Sequence, residues 1–310
     1  MDTQHEEITR PSRFKVWWAA IRPATLWAGA APVFVGAGLS VQAQVGWDQA
    51  RILTLLSALI GAILIQIGCN LVNDYADFER GTDDEHRIGP ARAAAQGWLS
   101  ASDLKRGAAI CLGGAALLGI YLTMVGGLPI LALGIASILC AYAYTAGPFP
   151  LAYLGLGDLF VMLFFGLGAV GGTTWLLTST LTWVHLTVGW SVGALATAIL
   201  VVNNLRDRVG DEANGKRTLA VRFGARVARL EYTALLLSAL VIPLGFAAYF
   251  GQWRWIAPWM IAPLAIRRIR SIWTLDGPEL NPLLGQTAQL ELLFCLALTL
   301  GLCAGQYGEG

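Results

Sequence analysis

Two short stretches of the chain bring acidic and amide side chains together at a helical spacing. They cover residues 70–85 and 203–217 and hold nine of the 20 acidic residues. Side chains three or four positions apart share one face of an α-helix. The positions that share a face are Asn70, Asp74 and Asp77 in the first stretch and Asn203, Asp207 and Asp211 in the second. The sequence therefore predicts two helical faces rich in oxygen ligands.

Such faces are typical of a magnesium site. Clustered carboxylates are unfavourable unless a cation accompanies them, and Mg²⁺ prefers oxygen ligands that the phosphates of a substrate often complete. We predict that the four aspartates are catalytic and that they hold Mg²⁺ together with the two asparagines. Basic side chains beside the acids would bind a diphosphate through charge-assisted hydrogen bonds. Those assigned to it are Arg87, Arg206, Lys216 and Arg217. The alternative is that both stretches are solvated, charged edges at helix ends.

The composition indicates the class of protein in which these residues lie. Of 310 residues, 56% are hydrophobic and 13% are charged, whereas a soluble domain carries roughly 25% charged residues. The low charge excludes a soluble protein, and the net charge of +1 excludes the basic surface of a nucleic-acid-binding protein. We therefore predict an all-α integral membrane protein whose main surroundings are the lipid bilayer.

The apolar runs predict nine transmembrane helices in one domain over residues 17–306, because a spanning helix needs about 20 apolar residues. The predicted spans are residues 17–43, 52–74, 106–125, 128–146, 156–177, 184–205, 230–250, 254–272 and 288–306. Residues 1–16 are expected to form a polar cytoplasmic tail without the cleavage site of a signal peptide. Four spans separate the two acidic stretches, which suggests a repeated four-helix unit followed by a ninth helix.

The distribution of positive charge predicts the orientation. With nine spans and a cytoplasmic N-terminus, 19 of the 21 Lys and Arg residues lie inside, and only Arg51 and Arg254 lie outside. This agrees with the excess of Lys and Arg that cytoplasmic loops carry. Both acidic stretches then open at the inner surface. We therefore predict a multi-pass protein of the cytoplasmic (inner) membrane with a cytoplasmic active site.

Motifs over the first 225 or so residues resemble the UbiA superfamily of intramembrane prenyltransferases. The matching stretches are Arg22–Leu26, Asn70–Gly81, Arg87–Pro90, Tyr144–Pro148, Tyr153–Asp158, Asn203–Gly215 and Lys216–Gly224. The Arg-Ile-Gly-Pro sequence at 87–90 and the Asn-Asn-Leu-Arg-Asp sequence at 203–207 favour the branch that acts on a naphthoate. The resemblance implies a UbiA-like helical bundle.

The resemblance also implies an activity and further site residues. It implies transfer of a polyprenyl group from polyprenyl diphosphate to 1,4-dihydroxy-2-naphthoate, with loss of diphosphate and CO₂, to give demethylmenaquinone in menaquinone biosynthesis. Mg²⁺ is the implied cofactor, and no protein partner is evident. The side chains implied to bind the aromatic substrate are Arg22, Tyr144, Tyr153 and Asp158.

Two departures from the superfamily pattern bear on the site. The first motif often has a third aspartate four residues after the second, where this chain has Gly81, so Asp83 or Asp84 would have to replace it. Relatives that act on 4-hydroxybenzoate carry a Lys-Arg pair after a Tyr-Pro step, where this chain has the sequence Tyr144–Gly147. The second departure favours naphthoate over benzoate.

Other functions also use acidic helix ends. An intramembrane phosphatidyl-alcohol transferase would need an Asp-Gly-initiated acidic run on contiguous helices, which neither stretch contains. A cation transporter would place its acidic ligands near the middle of the membrane, whereas these lie at one surface. A prenyltransferase for homogentisate, 4-hydroxybenzoate or a tetrapyrrole would keep the chemistry and change only the acceptor.

Overall fold

The computed structural model describes residues 11–82 and 88–304, and every regular element in those two ranges is helical. The α-helices in chain order are α1 (Arg13–Ile21), α2 (Pro23–Gln42), α3 (Gln49–Glu79), α4 (Ala101–Ala143), α5 (Gly157–Val161), α6 (Ala169–Thr178), α7 (Trp183–Ala213), α8 (Leu219–Phe250), α9 (Ala262–Thr274) and α10 (Asn281–Ala304). A π-helical segment (Met162–Gly168) joins α5 to α6, and 3₁₀ segments (Trp253–Ile261 and Gly277–Leu280) precede α9 and α10. The predicted all-α fold is confirmed.

Seven helical segments in the described ranges are long and apolar enough to cross a membrane, which confirms the predicted class of membrane protein. They are α2, α3, α4, the continuous α5–α6 segment, α7, α8 and α10 with its preceding 3₁₀ turn. The predicted span 106–125 and most of the span 128–146 lie on α4, which ends at Ala143 and is kinked at Gly127 (φ 71°, ψ −160°). The predicted span 254–272 consists of a 3₁₀ segment and the 13-residue α9. The count of nine spans and the cytoplasmic N-terminus remain predictions.

The first predicted span, residues 17–43, is divided at Arg22. This residue has a left-handed backbone (φ 52°), and its N–H donates to the carbonyl oxygen of Ala19 at 3.2 Å, which ends α1. Proline disfavours the helical conformation in the residue before it and suits the first position of a helix, so α2 begins at Pro23. The single continuous span predicted here was therefore wrong. The break leaves Arg22 beside α3, where Nη2 donates to the Asn70 carbonyl oxygen at 3.4 Å.

Helix α7 lies inside the bundle, where it packs against α8, α10 and the π-helical segment. Glycines allow its closest approach to the π-helical segment: a Cβ at Gly166 would lie 2.5 Å from the Gly189 carbonyl oxygen and 2.8 Å from the Gly193 Cα. Helices in membranes come close through such small residues. This packing holds α7, which carries the second acidic stretch, against the segment beside the site.

Gly166→Val is expected to destabilise the bundle because its new methyl groups would overlap the backbone of α7. Overpacking of this kind costs about 1–3 kcal/mol. Thermal unfolding in detergent should show a lower midpoint for Gly166→Val than for the control Gly113→Val, whose Cβ would meet nothing within 4 Å. Equal midpoints for the two variants would contradict the packing role of Gly166.

Candidate functional site

A cavity of about 760 Å³ lies among α2, α3, α4, α6 and α7. Both acidic stretches contribute to its polar end, and the remainder of its wall is predominantly apolar. The charged, asparagine and tyrosine side chains of the wall are Arg22, Asn70, Asn73, Asp77, Arg92, Tyr144, Asn203, Asn204, Asp207, Asp211 and Lys216. On α3 the wall runs from Ala58 to Asp77, which is about 28 Å at 1.5 Å per residue. The cavity thus joins a charged pocket to a long apolar tunnel.

Asp77 is the carboxylate of the first stretch that faces the cavity. It is buried, and its Oδ1 accepts a hydrogen bond from the Tyr153 hydroxyl at 2.9 Å. Its Oδ2 accepts from Lys216 Nζ at 3.4 Å. Tyr153 also lies 3.1 Å from the Thr82 hydroxyl. Asp77 is therefore held in one orientation by a phenol and an ammonium group.

Asp74, which was predicted to be a metal ligand, is bonded to backbone amides and does not face the cavity. Its two oxygens accept hydrogen bonds from the backbone N–H groups of Ala93 (3.1 Å) and Ala94 (3.2 Å), and it is outside the cavity wall. Asp74 is 1% exposed. Asp74 thus anchors the segment after α3, and that segment places Arg92 in the cavity wall.

Asn73 lies in the cavity wall and was not among the predicted site residues. Its Oδ1 accepts a hydrogen bond from the Thr145 hydroxyl. The pair Asn73 and Asp77 has the same four-residue spacing as Asn203 and Asp207. The pair Asn70 and Asp74 has this spacing as well, so spacing alone does not single out Asn73.

Arg206 was predicted to bind the diphosphate, but its side chain does not line the cavity. Its side chain is 1% exposed. Nε and Nη2 donate to the two oxygens of Asp207 at 2.7 and 2.6 Å. Nη2 also donates to Asn203 Oδ1 at 2.8 Å, and Nη1 donates to Asn281 Oδ1 at 3.1 Å. Arg206 therefore orients two cavity-lining side chains of the second stretch from behind.

Lys216 connects the two acidic stretches. Its Nζ lies 3.4 Å from an oxygen of Asp77 on α3 and 3.7 Å from an oxygen of Asp211 on α7. The ammonium group also lies 5.0 Å from the ring centroid of Tyr153, within the range of a cation–π interaction. A cation at this point offsets the repulsion between carboxylates that belong to different helices.

The other predicted cations are not in the described cavity wall. Arg217 is exposed and is joined to the neighbouring loop by its backbone N–H, which donates to the Tyr153 carbonyl oxygen at 3.0 Å. Arg87 lies outside the described residues, as do Asp83 and Asp84.

The predicted aromatic-substrate residues are in different places. Arg22 and Tyr144 line the cavity, whereas Tyr153 lies behind Asp77, and Asp158 is buried outside the wall. Burial, and then the negative charge of Asp158, raise the pKa of Tyr144 well above its usual value. Burial followed by the charge of Asp77 raises the pKa of Tyr153. Both phenols therefore stay protonated and can donate hydrogen bonds.

The donor set of the polar end fits Mg²⁺. Carboxylate and amide oxygens are available there from both helices, although no group of three or more His, Cys, Asp or Glu side chains in the described ranges could hold a metal ion by itself. Mg²⁺ is commonly bound by one or two carboxylates together with waters and substrate phosphates. The residues present therefore fit an ion whose coordination a diphosphate would complete.

This combination of a membrane helical bundle and a cavity with two acidic helix ends is that of an intramembrane prenyltransferase. The model of the UbiA prenyltransferase family matches residues 29–283, and the chain belongs to that family. The resemblance found in the motifs is thereby confirmed.

Curated relatives are similar to this chain over nearly its whole length. The 1,4-dihydroxy-2-naphthoate octaprenyltransferase of Haemophilus influenzae is 36% identical over 94% of this chain and 97% of its own. The enzyme of the same name from Escherichia coli is 36% identical over 96% of this chain and 97% of its own. The one from Mycobacterium tuberculosis is 36% identical over 94% and 98%.

Solved structures share the fold. A UbiA homologue from Archaeoglobus fulgidus bound to DMAPP and Mg²⁺ has a TM-score of 0.64 at 15% identity and covers 93% of this chain and 99% of its own. A UbiA homologue from Aeropyrum pernix K1 has a TM-score of 0.66 at 13% identity, over 90% and 98%.

Proposed function

We propose that this chain transfers a polyprenyl group from polyprenyl diphosphate to 1,4-dihydroxy-2-naphthoate in menaquinone biosynthesis. The observation that carries the proposal is the single cavity in which a polar end with two acidic stretches continues into an apolar tunnel. The names of the relatives at 36% identity support the naphthoate as acceptor. The leaving group is diphosphate, and the acceptor also loses CO₂.

The polar end would bind the diphosphate as its magnesium complex. The oxygens of Asn73, Asp77, Asn203, Asp207 and Asp211 would hold the metal, with Asn70 beside them. Bound Mg²⁺ supplies charge stabilisation for the departing diphosphate. Lys216 and Arg92 are the cations of the wall that would contact the phosphate oxygens, and the exposed Arg217 is assigned to the outer side of the diphosphate. Arg87 keeps its predicted role in binding the diphosphate.

The apolar tunnel would hold the prenyl chain and exclude water from the allylic cation. Exclusion of water prevents hydrolysis of a reactive intermediate and strengthens the electrostatic interactions within the site. Phe160, Phe164 and Phe165 line the cavity. Aromatic rings present a negative face that stabilises a cation.

Arg22 would bind the carboxylate of the naphthoate, and the phenol of Tyr144 would donate a hydrogen bond to the acceptor. The ring carbon that carries the carboxylate attacks the prenyl cation, so that a C–C bond forms there. The bond to the carboxyl group then breaks, CO₂ leaves, and its electron pair restores the aromatic ring. The product is the reduced form of demethylmenaquinone.

The cavity is proposed to open to the cytoplasm. The basic residues beside it support this, since cytoplasmic loops carry the excess of Lys and Arg. Cysteine substitutions at the exposed positions Gln96 and Glu212 should react with a membrane-impermeant maleimide only after the inner face of the membrane is exposed.

An acceptor-competition assay tests the proposed function. Purified protein, Mg²⁺ and a polyprenyl diphosphate would be incubated with equal amounts of 1,4-dihydroxy-2-naphthoate, 4-hydroxybenzoate and homogentisate. Mass spectrometry should detect the prenylated, decarboxylated naphthoate as the main product. A prenylated benzoate or homogentisate as the main product would refute the naphthoate assignment, and no transfer to any acceptor would refute the enzyme class.

Gly119→Phe is expected to shorten the usable tunnel. Gly119 lines the apolar part, and a Cβ there would meet nothing within 4 Å, so the aromatic ring can enter the space of the prenyl chain without moving the backbone. Turnover with an octaprenyl donor should fall roughly tenfold, since overpacking costs about 1–3 kcal/mol. Turnover with dimethylallyl diphosphate should be preserved. Gly113→Phe, outside the wall, is the control, and equal losses with both donors would contradict the tunnel.

A further inference from the structure

Arg206 is a buried cation that contacts interior side chains and does not line the cavity. Its bidentate contact with Asp207 and its contact with Asn203 occupy Nε and Nη2. The Asp207 side chain is 14% exposed and still lines the cavity. Each carboxylate oxygen has two lone pairs, so Asp207 can bind Arg206 from behind and a cation in front.

Asn281 holds Arg206 in this position. It is the first residue of α10, and its Oδ1 accepts from Arg206 Nη1 at 3.1 Å. Its Nδ2 donates to the Ile88 carbonyl oxygen at 3.1 Å. Asn281 therefore joins the last helix both to the second acidic stretch and to the segment that carries Arg92.

We propose that Asn281 is a positioning residue for the second half of the metal site and acts through Arg206 on Asp207 and Asn203. The proposal rests on the proposed function, since it assigns a supporting residue to that site. Residues that orient metal ligands in this way typically change metal affinity or activity by about 10–100-fold when they are replaced.

The amide of Asn281 has two separable parts. Its oxygen satisfies the buried guanidinium of Arg206, while its nitrogen bonds a backbone carbonyl of the loop. Loss of the oxygen leaves a buried Arg206 N–H without this partner, and such groups are costly. Arg206 can then turn towards other acceptors and draw Asp207 out of position. An acceptor at residue 281 is therefore the feature on which metal binding depends.

Metal binding in the absence of turnover tests this proposal. Mn²⁺ would be titrated into the detergent-purified full chain in the presence of farnesyl S-thiolodiphosphate, with free Mn²⁺ followed by electron paramagnetic resonance. Asn281→Ala should raise the half-saturating Mn²⁺ concentration about tenfold. Asn281→Asp retains the acceptor facing Arg206, so its half-saturating Mn²⁺ concentration should be close to the wild-type value. Gln96→Ala, which removes an exposed amide from the same loop, is the control.

An unchanged half-saturating concentration in Asn281→Ala would overturn the proposal, as would an equal increase in Gln96→Ala. If Asn281→Ala does not fold, Asn281→Ser carries the same test, because its side chain is too short to replace the amide. A purely structural role would lower the thermal midpoint of both Asn281→Ala and Asn281→Asp without separating their Mn²⁺ affinities, and that result would also overturn the proposal. Failure of the wild-type protein to bind Mn²⁺ with the analogue would instead refute the proposed function.

Discussion

Asp77→Asn is expected to lower kcat about 10²–10³-fold, which is the loss seen when one preorganised electrostatic stabiliser is removed from an active site. Asp77 is the only carboxylate of the first stretch that lies in the described cavity wall, and it is 4% exposed. The substitution keeps the shape of the side chain and one oxygen while it removes the negative charge. Radiolabelled prenyl transfer, measured at saturating substrate and Mg²⁺, would give the loss.

The matched control is Asp276→Asn. Asp276 is an exposed carboxylate whose Oδ1 accepts a hydrogen bond from Arg229 at 2.8 Å, and exposed ion pairs contribute little to stability. This variant should keep the wild-type rate. A wild-type rate in Asp77→Asn would instead show that the first acidic stretch takes no part in diphosphate activation.

Lys216→Met is expected to raise the KM for polyprenyl diphosphate strongly without raising the Mg²⁺ requirement. The ammonium group lies between Asp77 and Asp211, so its removal takes a positive charge from the phosphate site. The same removal leaves the two carboxylates less neutralised, which favours a divalent cation between them. A charged hydrogen bond contributes about 1.5–3 kcal/mol, so kcat/KM should fall by roughly 10–100-fold.

Lys105→Met provides a control with the same change of charge. Lys105 forms an exposed ion pair with Glu79 at 2.6 Å on the same two helices that border the tunnel, α3 and α4. Its replacement should leave kcat/KM within the experimental error of the wild-type value. A rise in the Mg²⁺ requirement of Lys216→Met, with KM unchanged, would show that Lys216 supports the metal site rather than the phosphates.

Much of the site was predictable because its chemistry is repeated along the chain. Asp77, Asp207 and Asp211 were identified from helical spacing, and the structure places all three in one cavity wall. Spacing could not separate Asp74 from Asn73, since both lie on the same helical turn. The partners of Asp74 are the amides of Ala93 and Ala94 in a following segment, and a contact between separate segments leaves no periodic signal.

The role of Arg206 also could not be predicted from the sequence. An arginine beside an aspartate can face a phosphate or an interior acceptor, and the acceptor here, Asn281, lies 75 residues further along the chain. By contrast, the sequence does contain a signal for the end of α1 at Arg22, namely the proline that follows it. The prediction of one continuous span over residues 17–43 overlooked this signal. The kink at Gly127 lies in the gap between the predicted spans 106–125 and 128–146, although α4 continues on both sides of it.

Locating the bound metal ion would test the proposed metal site most directly. Crystals of the protein with Mn²⁺ and a prenyl S-thiolodiphosphate would be measured at the manganese absorption edge. The anomalous signal should lie at the polar end of the cavity, about 2.1 Å from carboxylate oxygens of Asp77 and of Asp207 or Asp211, with Asp74 still bonded to the amides of Ala93 and Ala94. A metal ion bound by Asp74, or one outside this cavity, would contradict the proposed metal site.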